Sequence, residues 1–582
     1  MVDSKSVVEG YLSQSDWRVK ESSSVSFSYG GLCKRMVDVV SRDYWLNEIY
    51  PNNVKAAHKS GLMHIHDLGG LTLYCCGYSL SSLLATGIKG IPNIPTSAPA
   101  KHFASALAQI ANVITVFQSE IMGAVAYNSV DTYLAPYVKE DNLSYEQVKQ
   151  LIQGFIFQVN SNNRMGAEPV FFNITMDITP PEDLIDQYAF AGKVLDYKYK
   201  DCQAEIDMIN KAFFEVMMQG DENGQPFSYP ILTYNIHSRF DWNNEKTDPL
   251  WEMAGKYGYP YFANFINSDM DVSDSKSMCC RLKLDLTELR RRNGGLFGSG
   301  DNTGSIGVVT INLPRIAYLS KDKDEFFEKL ESAIEVASES LEIKREFLEE
   351  EILPNNLLPA FNQYVGTIDN HFSTIGEVGK NEMCLNLLGK DITTKEGKEF
   401  AVEVGDFIRN KISELQESTG NLYNYEATPA ESTCYRLAKK DKDEFGDIIT
   451  QGENDPYYTN SCHIPVSQVD GINETFKHQE DLQVQYTGGT VIHIYTKGMI
   501  EGIKIKTITK TLLEKYKVPY VSWSPLTKFC EEHGHQETDG DICPECGNRL
   551  KQFQRITGYL REVSNFNNGK KEEFRQRVQL KV

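Results

Sequence analysis

The 582-residue sequence lacks the long apolar runs and the basic leader that would direct a chain into or across a membrane. No stretch reaches the roughly 18 uninterrupted apolar residues that a membrane-spanning helix needs. The first residues, MVDSKSVVEGYLSQSDW, contain no basic segment followed by an apolar one, so they do not resemble a secretory signal. These absences predict a cytoplasmic protein without a membrane partner.

Basic residues are also few, because 59 Lys and Arg stand against 80 Asp and Glu, for a net charge of −21. Nucleic-acid backbones attract proteins with a surplus of positive charge, so this balance argues against nucleic acid as a partner. It leaves room for a local basic pocket that holds a small phosphorylated ligand. The sequence also has no internal repeat and no low-complexity linker.

Twelve cysteines are present, and in a reducing cytoplasm they are not expected to form a disulfide framework. Two pairs are adjacent, Cys75 with Cys76 and Cys279 with Cys280, and three more cysteines cluster between 530 and 546. On residue chemistry alone, a pair of neighbouring buried cysteines is most simply explained as small apolar side chains in a core.

The cysteine cluster lies in FCEEHGHQETDGDICPECGNRL, where Cys530-x2-His533 is followed by Cys543-x2-Cys546. This is the spacing of two zinc knuckles, because each tight turn points two ligands in the same direction. Four protein ligands leave no open coordination position, so the pattern predicts a structural zinc site. His535 is the alternative to His533 as the fourth ligand.

Residues 1–520 alternate amphipathic helices with short apolar segments, which is typical of an α/β fold built as a barrel or a large open sheet. The apolar residues of 101–127 have helical spacing, 324–353 is predicted to be one long helix, and 306–316 a buried strand that stops at Pro314. We therefore predict a body formed by residues 1–520 and a C-terminal module formed by residues 521–582.

After the knuckles, QRITGYLREVSNFNNGKKEEFRQRV places Gly569 behind two asparagines and before a charged, helix-like tail. A glycine there is ordinarily a turn residue that accepts a positive φ. The segment resembles the C-terminus of anaerobic (class III) ribonucleotide reductases, where R-x-x-G-Y precedes an N-x-G-K loop whose glycine carries a stable radical. The matching residues are Arg555, Gly558, Tyr559, Asn567, Gly569 and Lys570. Glycine suits this role, because an α-carbon without a side chain becomes planar and delocalises the unpaired electron over the flanking amides.

The resemblance follows the order of the family's motifs over most of the chain. The matching segments are DWRVKESSSVSFSYGGL (16–32), HIHDLGG (64–70), YCCGYSL (74–80), SMCCRL (277–282), GSIGVVTINLPRIA (304–317), NYEATPAESTCYRLAK (424–439) and YYTNSCHIP (457–465). It implies a ten-stranded α/β barrel that reduces ribonucleoside triphosphates to deoxyribonucleotides for DNA synthesis by glycyl and thiyl radical chemistry. No further domain precedes residue 16, so the ATP-cone of many members is expected to be absent.

The same resemblance assigns roles to the cysteines. Abstraction of the ribose 3′-hydrogen creates a radical that assists the loss of the 2′-hydroxyl as water, and Cys280 is the thiyl that abstracts it, with Cys279 as the alternative. Cys76, or its neighbour Cys75, lies on the opposite face of the ribose, and Cys384 is a partner for Cys76. Formate-using members tend to have N-N-x-G-V-V where this chain has GSIGVV, which favours a redoxin over formate as the reductant.

The substrate is charged, so its phosphates need hydroxyls, amides or the N–H groups of a helix N-terminus. The substrate-binding candidates are His66, Thr428, Ala430, Glu431, Asn460 and Ser461. His64 and His66 have the look of metal ligands, but no third ligand follows at useful spacing. A structural or hydrogen-bonding role is therefore expected for them.

The resemblance also implies partners and effectors. A radical-SAM activase with a 4Fe-4S cluster generates the radical on Gly569, and ATP or deoxyribonucleoside triphosphates act as allosteric effectors. A homodimer is expected, with 101–127 as a candidate interface. Two other classes compete: a glycyl radical lyase or dehydratase would lack the zinc knuckles and the HIHDLGG block, and a non-enzymatic zinc-ribbon protein has no use for Gly569 or Cys280.

Overall fold

The computed structural model describes residues 2–14, 17–20, 25–163, 166–268 and 302–582. The strands are β1 (Met63–Ile65), β2 (Cys75–Gly77), β3 (Val125–Tyr127), β4 (Phe172–Met176), β5 (Tyr188–Phe190), β6 (Val194–Lys198), β7 (Ile231–His237), β8 (Tyr261–Phe265), β9 (Gly304–Asn312), β10 (His371–Val378), β11 (Tyr423–Glu426), β12 (Ile492–Thr496), β13 (Tyr520–Pro525), β14 (Thr527–Cys530), β15 (Gly534–Gln536), β16 (Lys551–Arg555) and β17 (Leu560–Glu562).

Ten of these strands form one mixed sheet in the order β11-β10-β9-β2-β3-β4-β7-β8-β13-β12, and β1 pairs with β9 beside them. Strands β2, β3, β4, β7 and β8 are parallel to one another. The other five run in the opposite direction, because β9 pairs antiparallel with β2, and β13 antiparallel with β8. The sheet therefore consists of two five-stranded parallel halves.

The two end strands, β11 and β12, are joined by the segment 487–491, which leads directly into β12. Gly488 N donates to Tyr425 O at 2.7 Å, and Ala427 N donates to Gly489 O at 2.8 Å. These bonds close the sheet around its interior. The predicted ten-stranded α/β barrel is confirmed.

The helices surround this sheet. They are α1 (Ser4–Leu12), α2 (Tyr29–Tyr44), α3 (Asn52–Ser60), α4 (Leu80–Thr86), α5 (Phe103–Glu120), α6 (Val130–Glu140), α7 (Tyr145–Val159), α8 (Gln203–Gln219), α9 (Asp248–Tyr257), α10 (Leu313–Tyr318), α11 (Lys323–Phe347), α12 (Pro359–Tyr364), α13 (Lys380–Leu388), α14 (Lys395–Thr419), α15 (Thr433–Phe445), α16 (Ile472–Gln483), α17 (Gly502–Lys515) and α18 (Asn568–Gln576). Within the described ranges, none of them has both the length and the apolar composition to cross a membrane.

The predicted elements are present with shifted ends. The segment 101–127 is α5 followed by β3, and the predicted long helix is α11, which a π-helical turn extends to Ile352. The buried strand ends at Asn312, and Pro314 lies in the first turn of α10. Proline is tolerated there because the first N–H groups of a helix have no partner within the helix.

Residues of the barrel strands alternate between an apolar and a polar environment. In β4, Phe172, Ile174 and Met176 pack in the apolar layer beneath the helices, whereas the polar residues Asn173 and Thr175 are buried outside that layer. Successive side chains of a strand point to opposite faces, so the polar residues face the inside of the barrel. The interior is thus equipped to bind a polar ligand.

The C-terminal module is a small antiparallel sheet in the order β15-β14-β16-β17. Strand β13 still belongs to the barrel, so this sheet begins at Thr527, a few residues after the predicted boundary. Beyond the sheet, α18 packs against α15. The chain then returns to the barrel, where Leu580 N donates to Tyr495 O of β12 at 2.9 Å.

Candidate active site

The adjacent cysteines of β2 lie on opposite sides of the barrel wall. Cys76 packs in the large apolar layer between the sheet and the helices, whereas Cys75 belongs to a separate small cluster with Ala124. Burial, and after it the carboxylate of Glu120, raises the pKa of the Cys76 thiol, which therefore stays protonated. Cys76 faces the helices.

The pairing of β2 shows where Cys75 points. It lies opposite Ser305 of β9, whose Oγ is 2.9 Å from Thr374 Oγ1. Thr374 precedes Ile375, which packs against the helices, so alternation along β10 turns Thr374 to the interior. Residues directly opposite each other in an antiparallel pair project to the same face. Cys75 is therefore the cysteine on the interior side.

The two histidines of HIHDLGG lie at the same wall. β1 places His64 opposite Thr310 of β9, and His66 Nε2 is 2.8 Å from Thr310 Oγ1. Arg436 of α15 donates to His64 Nδ1 at 3.0 Å. Burial, with Arg436 and Lys344, lowers the pKa of His66 to about 3, and burial also lowers the pKa of His64. Both rings are neutral hydrogen-bonding groups, and no described residue adds a third ligand atom that would make them a metal site.

A cavity of about 250 Å³ lies beside these histidines. Pro429 and residues 431–433, which lead into α15, form one wall, and α2 contributes another. Its charged lining consists of Arg18, Lys34, Arg35, Arg42, Asp38, Asp67 and Glu431. Cations and the N-terminus of a helix both favour anions. The cavity therefore suits a phosphorylated ligand, although the whole chain is acidic.

The predicted substrate-binding residues of the second half gather at the carboxyl end of β11. Asn460 Nδ2 donates to Thr428 O at 3.0 Å, and the residue bridges Val378 at the end of β10. Thr428 Oγ1, Asn460 Oδ1 and Ser461 Oγ are buried and make no hydrogen bond within the described chain. Buried polar atoms are nearly always paired, so these three indicate a ligand or water. Ala430 lies in a small apolar cluster.

Gly569 lies buried in the first turn of α18, and its backbone is helical rather than left-handed. The expectation of a turn glycine with positive φ is therefore wrong. A Cβ placed on Gly569 would stand 2.7 Å from Tyr435 Cβ and 2.9 Å from Tyr435 Cδ2, closer than real Cβ atoms approach. The close approach of α15 requires glycine at this position.

Hydrogen bonds connect this turn to the cavity. Asn567 accepts from Lys570 N at 2.9 Å as the N-cap of α18, and its Nδ2 donates to Glu431 O at 3.2 Å. Tyr559 OH donates to Glu431 Oε2 at 2.8 Å. Glu431 and Tyr559 both line the cavity. The turn that carries Gly569 is thus fixed to the rim of this cavity.

The C-terminal module brings four metal-ligand side chains together. They are Cys530, His533, Cys543 and Cys546, and their ligand atoms lie within 4.8 Å of one another. Cys530 Sγ is 3.6 Å from Cys546 Sγ and 3.7 Å from His533 Nδ1, which is also 3.7 Å from Cys543 Sγ. Tetrahedral Zn²⁺, with Zn–S near 2.3 Å and Zn–N near 2.0 Å, requires S···S of about 3.8 Å and S···N of about 3.5 Å. The donor set fits zinc, whereas His535 lies outside it, with its ring centroid 6.1 Å from that of Tyr257.

A family model described as anaerobic ribonucleoside-triphosphate reductase matches residues 21–580. The chain belongs to this family. Curated relatives include the anaerobic ribonucleoside-triphosphate reductases of Haemophilus influenzae and of Enterobacteria phage T4. Each is 24% identical over 93% of this chain. The match covers 81% of the H. influenzae protein and 94% of the phage protein. The fold matches the anaerobic ribonucleotide reductase of Thermotoga maritima with a TM-score of 0.76, at 22% identity over 97% of this chain and 98% of that one.

The family resemblance drawn from the motifs is confirmed, and the reductase is an oxidoreductase that reduces ribonucleotides. The alternative of a lyase or dehydratase is the weaker one, because the matching family and its curated relatives are reductases. The non-enzymatic alternative is excluded by the same finding.

Three other cysteines were predicted to take part in the reaction, namely Cys279, Cys280 and Cys384. Cys279 and Cys280 lie outside the described residues. Cys384 of α13 packs in the apolar cluster behind β9, β10 and β11, donates to Gly397 O at 3.4 Å, and has its pKa raised to about 12 by burial. Cys76 belongs to the other apolar cluster, so the structure does not bring Cys384 and Cys76 together.

The cations of α2 are functional candidates that sequence reasoning missed. The family motif at 16–32 ends two residues before Lys34, so Lys34, Arg35 and Arg42 were not among the predicted site residues. Arg35 and Arg42 are seven residues apart, so they lie on one face of the helix. Two arginines on one face of a predicted helix, in an otherwise acidic chain, could have indicated an anion-binding surface.

Proposed function

We propose that the reductase acts on ribonucleoside triphosphates and binds their phosphates in the cavity between α2 and the start of α15. The single observation that carries this proposal is the shared position of Glu431. It lines the cavity and also bonds to Tyr559 and Asn567, beside the Gly569 turn. The proposed substrate site and Gly569 therefore lie on opposite sides of the short segment that contains Glu431.

The substrate is held by both halves of the barrel. Arg35, Arg42 and the N–H groups at the start of α15 neutralise the phosphates. The neutral ring of His66, fixed by Thr310, and the buried polar atoms of Asn460 and Ser461 bond to the nucleoside. Thr428 contributes its Oγ1, and Ala430 contributes its backbone.

The radical chemistry begins at Gly569. A radical-SAM activase removes one α-hydrogen, and the resulting glycyl radical takes the hydrogen of the Cys280 thiol. The Cys280 thiyl abstracts the 3′-hydrogen of the ribose, after which the protonated 2′-hydroxyl leaves as water. The radical left at C2′ takes a hydrogen atom from the Cys75 thiol, on the interior side. The external reductant returns a hydrogen atom to the Cys75 sulfur and delivers one electron and one proton to the 3′-keto group. Cys280 then gives back the 3′-hydrogen, and its thiyl passes the radical back to Gly569. One external reductant, a redoxin dithiol or formate, supplies the two electrons of each turnover.

Cys75 takes the role that was first predicted for Cys76, because Cys76 packs on the helix side of the barrel wall. Cys384 is no longer required as its partner. We retain a redoxin as the favoured reductant, since Ser305 lies opposite Cys75 in the segment where formate users differ. A homodimer and allosteric nucleotide effectors complete the proposal, with α5 as the candidate interface.

Zinc has a structural role in this proposal. Cys530, His533, Cys543 and Cys546 would hold the ion, which supplies a fixed cross-link between the strands of the C-terminal module. All four positions belong to the protein, so no step of the reaction uses the metal.

The test is anaerobic turnover of the activated enzyme with each of the four ribonucleoside triphosphates and, separately, the diphosphates. Reduced thioredoxin-type protein and formate are offered in parallel. We expect triphosphate reduction with the redoxin and an organic radical signal split by one α-hydrogen. Reduction of diphosphates in preference to triphosphates would contradict the proposed substrate, and turnover without a glycyl signal would contradict the proposed radical.

A further inference from the structure

The side-chain position on the α-carbon of Gly569 faces Tyr435 of α15. Tyr435 is only 5% exposed and Gly569 is buried, although the preceding Asn568 is exposed. The atoms nearest to the side-chain position of Gly569 are Cβ, Cδ2 and Cγ of Tyr435, at 2.7, 2.9 and 3.0 Å. The α-hydrogen in that position therefore points at the aliphatic and ring carbons of Tyr435.

The hydroxyl of Tyr435 is turned away from the glycine and toward Asp455. Tyr435 OH lies 3.4 Å from Asp455 Oδ1, and Asn568 Nδ2 lies 3.4 Å from the same oxygen. One carboxylate thus holds both the covering tyrosine and the residue just before Gly569. The three Tyr435 atoms nearest to the side-chain position of Gly569 are all carbons, and the hydroxyl is not among them.

Asp455 belongs to the loop 451–457, which contacts one face of α18. Glu453 N donates to Glu572 Oε1 at 3.1 Å, and Tyr457 OH donates to Gln576 Oε1 at 2.7 Å. The contacted helix residues, 568, 572 and 576, are spaced by four and lie on one face of the helix. The loop therefore contacts α18 at three successive turns. The contact made by Asp455 is the one nearest to Gly569.

We propose that Tyr435 is a positioning residue that shields the α-carbon of Gly569, held in place by Asp455. The proposal rests on Gly569 as the radical residue. While the ring is in place, dioxygen and solvent are kept from the carbon that carries the radical. The same cover has to move when the activase takes the hydrogen. Tyr435 thus limits both the formation and the loss of the radical.

The test compares Tyr435→Ala, Tyr435→Phe and a matched control, Tyr457→Ala. The control also removes a buried tyrosine bonded to α18, but at the far end of the helix. The first measurement is amide hydrogen exchange of residues 568–571 in the enzyme before activation, which needs no radical. We expect Tyr435→Ala to exchange about tenfold faster or more, because truncating a buried ring lets its neighbours open locally. Tyr435→Phe keeps the ring and is expected to stay close to wild type.

The second measurement uses the activated enzyme exposed to a fixed dioxygen concentration. Dioxygen adds to the carbon-centred radical and the chain is cut there, so release of residues 570–582 reports access to Gly569. We expect Tyr435→Ala to release this fragment about tenfold faster than wild type, with Tyr435→Phe restoring protection and Tyr457→Ala having less effect. Equal exchange at 568–571 in Tyr435→Ala and wild type would overturn the proposal, whether or not Gly569 carries the radical. So would equal cleavage rates, or faster cleavage in Tyr457→Ala than in Tyr435→Ala.

Discussion

Glu573→Gln is expected to release α18 from the body while leaving the zinc site intact. Glu573 lies between two buried cations: Lys570 Nζ is 2.5 Å from one carboxylate oxygen, and Arg577 Nη2 is 2.7 Å from the other. The side chains are 3%, 6% and 0% exposed for Lys570, Glu573 and Arg577. Burial alone would raise the pKa of Glu573, yet the two cations outweigh it and hold that pKa below its usual range. Glu573 is therefore charged at neutral pH.

The magnitude follows from leaving two buried cations without their carboxylate. Removing one partner of a buried ion pair costs about 3–5 kcal/mol. Glutamine keeps the size of the side chain, so packing changes little. At about 1.4 kcal/mol per tenfold change, the population with α18 detached rises by roughly 10² to 4 × 10³.

The assay is amide hydrogen exchange of residues 568–577 at neutral pH, read together with zinc content and the yield of the glycyl radical. A matched control is Glu531→Gln, which breaks a 2.5 Å ion pair with Lys551 in the same module, but at a carboxylate that is 72% exposed. Exposed pairs contribute about 0–1 kcal/mol, so this variant is expected to exchange like wild type. Exchange of Glu573→Gln within twofold of the control would refute the reasoning.

The pH dependence has a definite sign. A carboxyl group whose pKa is lowered in the folded protein contributes stability above its unfolded pKa, about 4.3 for Glu. That contribution is lost as the pH falls from there through the lowered folded value. Wild type should therefore lose the attachment of α18 in this acidic range, and Glu573→Gln should lack that transition.

Three further predictions concern the metal and the radical residues. Cys543→Ser should lose zinc and speed hydrogen exchange in the C-terminal module while nucleotide binding persists, and full zinc content would contradict the ligand assignment. Cys75→Ala should accept the glycyl radical but fail to form product. Cys76→Ala should retain turnover, with reduced thermal stability. The reverse result would assign the hydrogen-donating role to Cys76. Gly569→Ala should lose the radical signal and activity together, because its methyl group has no room against Tyr435, and a persistent signal would remove Gly569 from the mechanism.

The zinc site was predictable because its ligands are close in the sequence. Each of the two knuckles positions its own pair of ligand side chains through a short local turn. The fold then needs only to place the two pairs next to each other. The identity of the histidine was left open by spacing. His535 sits within β15, paired with Phe529 of β14, and turns toward Tyr257.

The interior cysteine was not predictable from its own neighbourhood. Strand β2 has three residues and all of them are buried, so no alternation of polarity shows which side chain faces inward. The deciding contact is the pairing of Cys75 with Ser305, which lies far along the chain. Likewise, glycine is required at position 569 because Tyr435 of another helix packs against it. The residues next to Gly569 in the sequence do not predict that contact.

The position of the zinc module explains why it precedes Gly569. The zinc ligands lie at the start and in the connecting segment of the small sheet, and β16 follows directly. Arg577, near the end of α18, donates to Gln554 Oε1 at 3.0 Å and Arg555 O at 2.9 Å, both on β16. The module therefore contacts the C-terminal end of α18, whereas Glu431 and Tyr435 of the body contact the half that carries Gly569. Under the proposed function, the Gly569 turn would open for the activase while the module and the body residue Tyr457 still hold the other end of the helix.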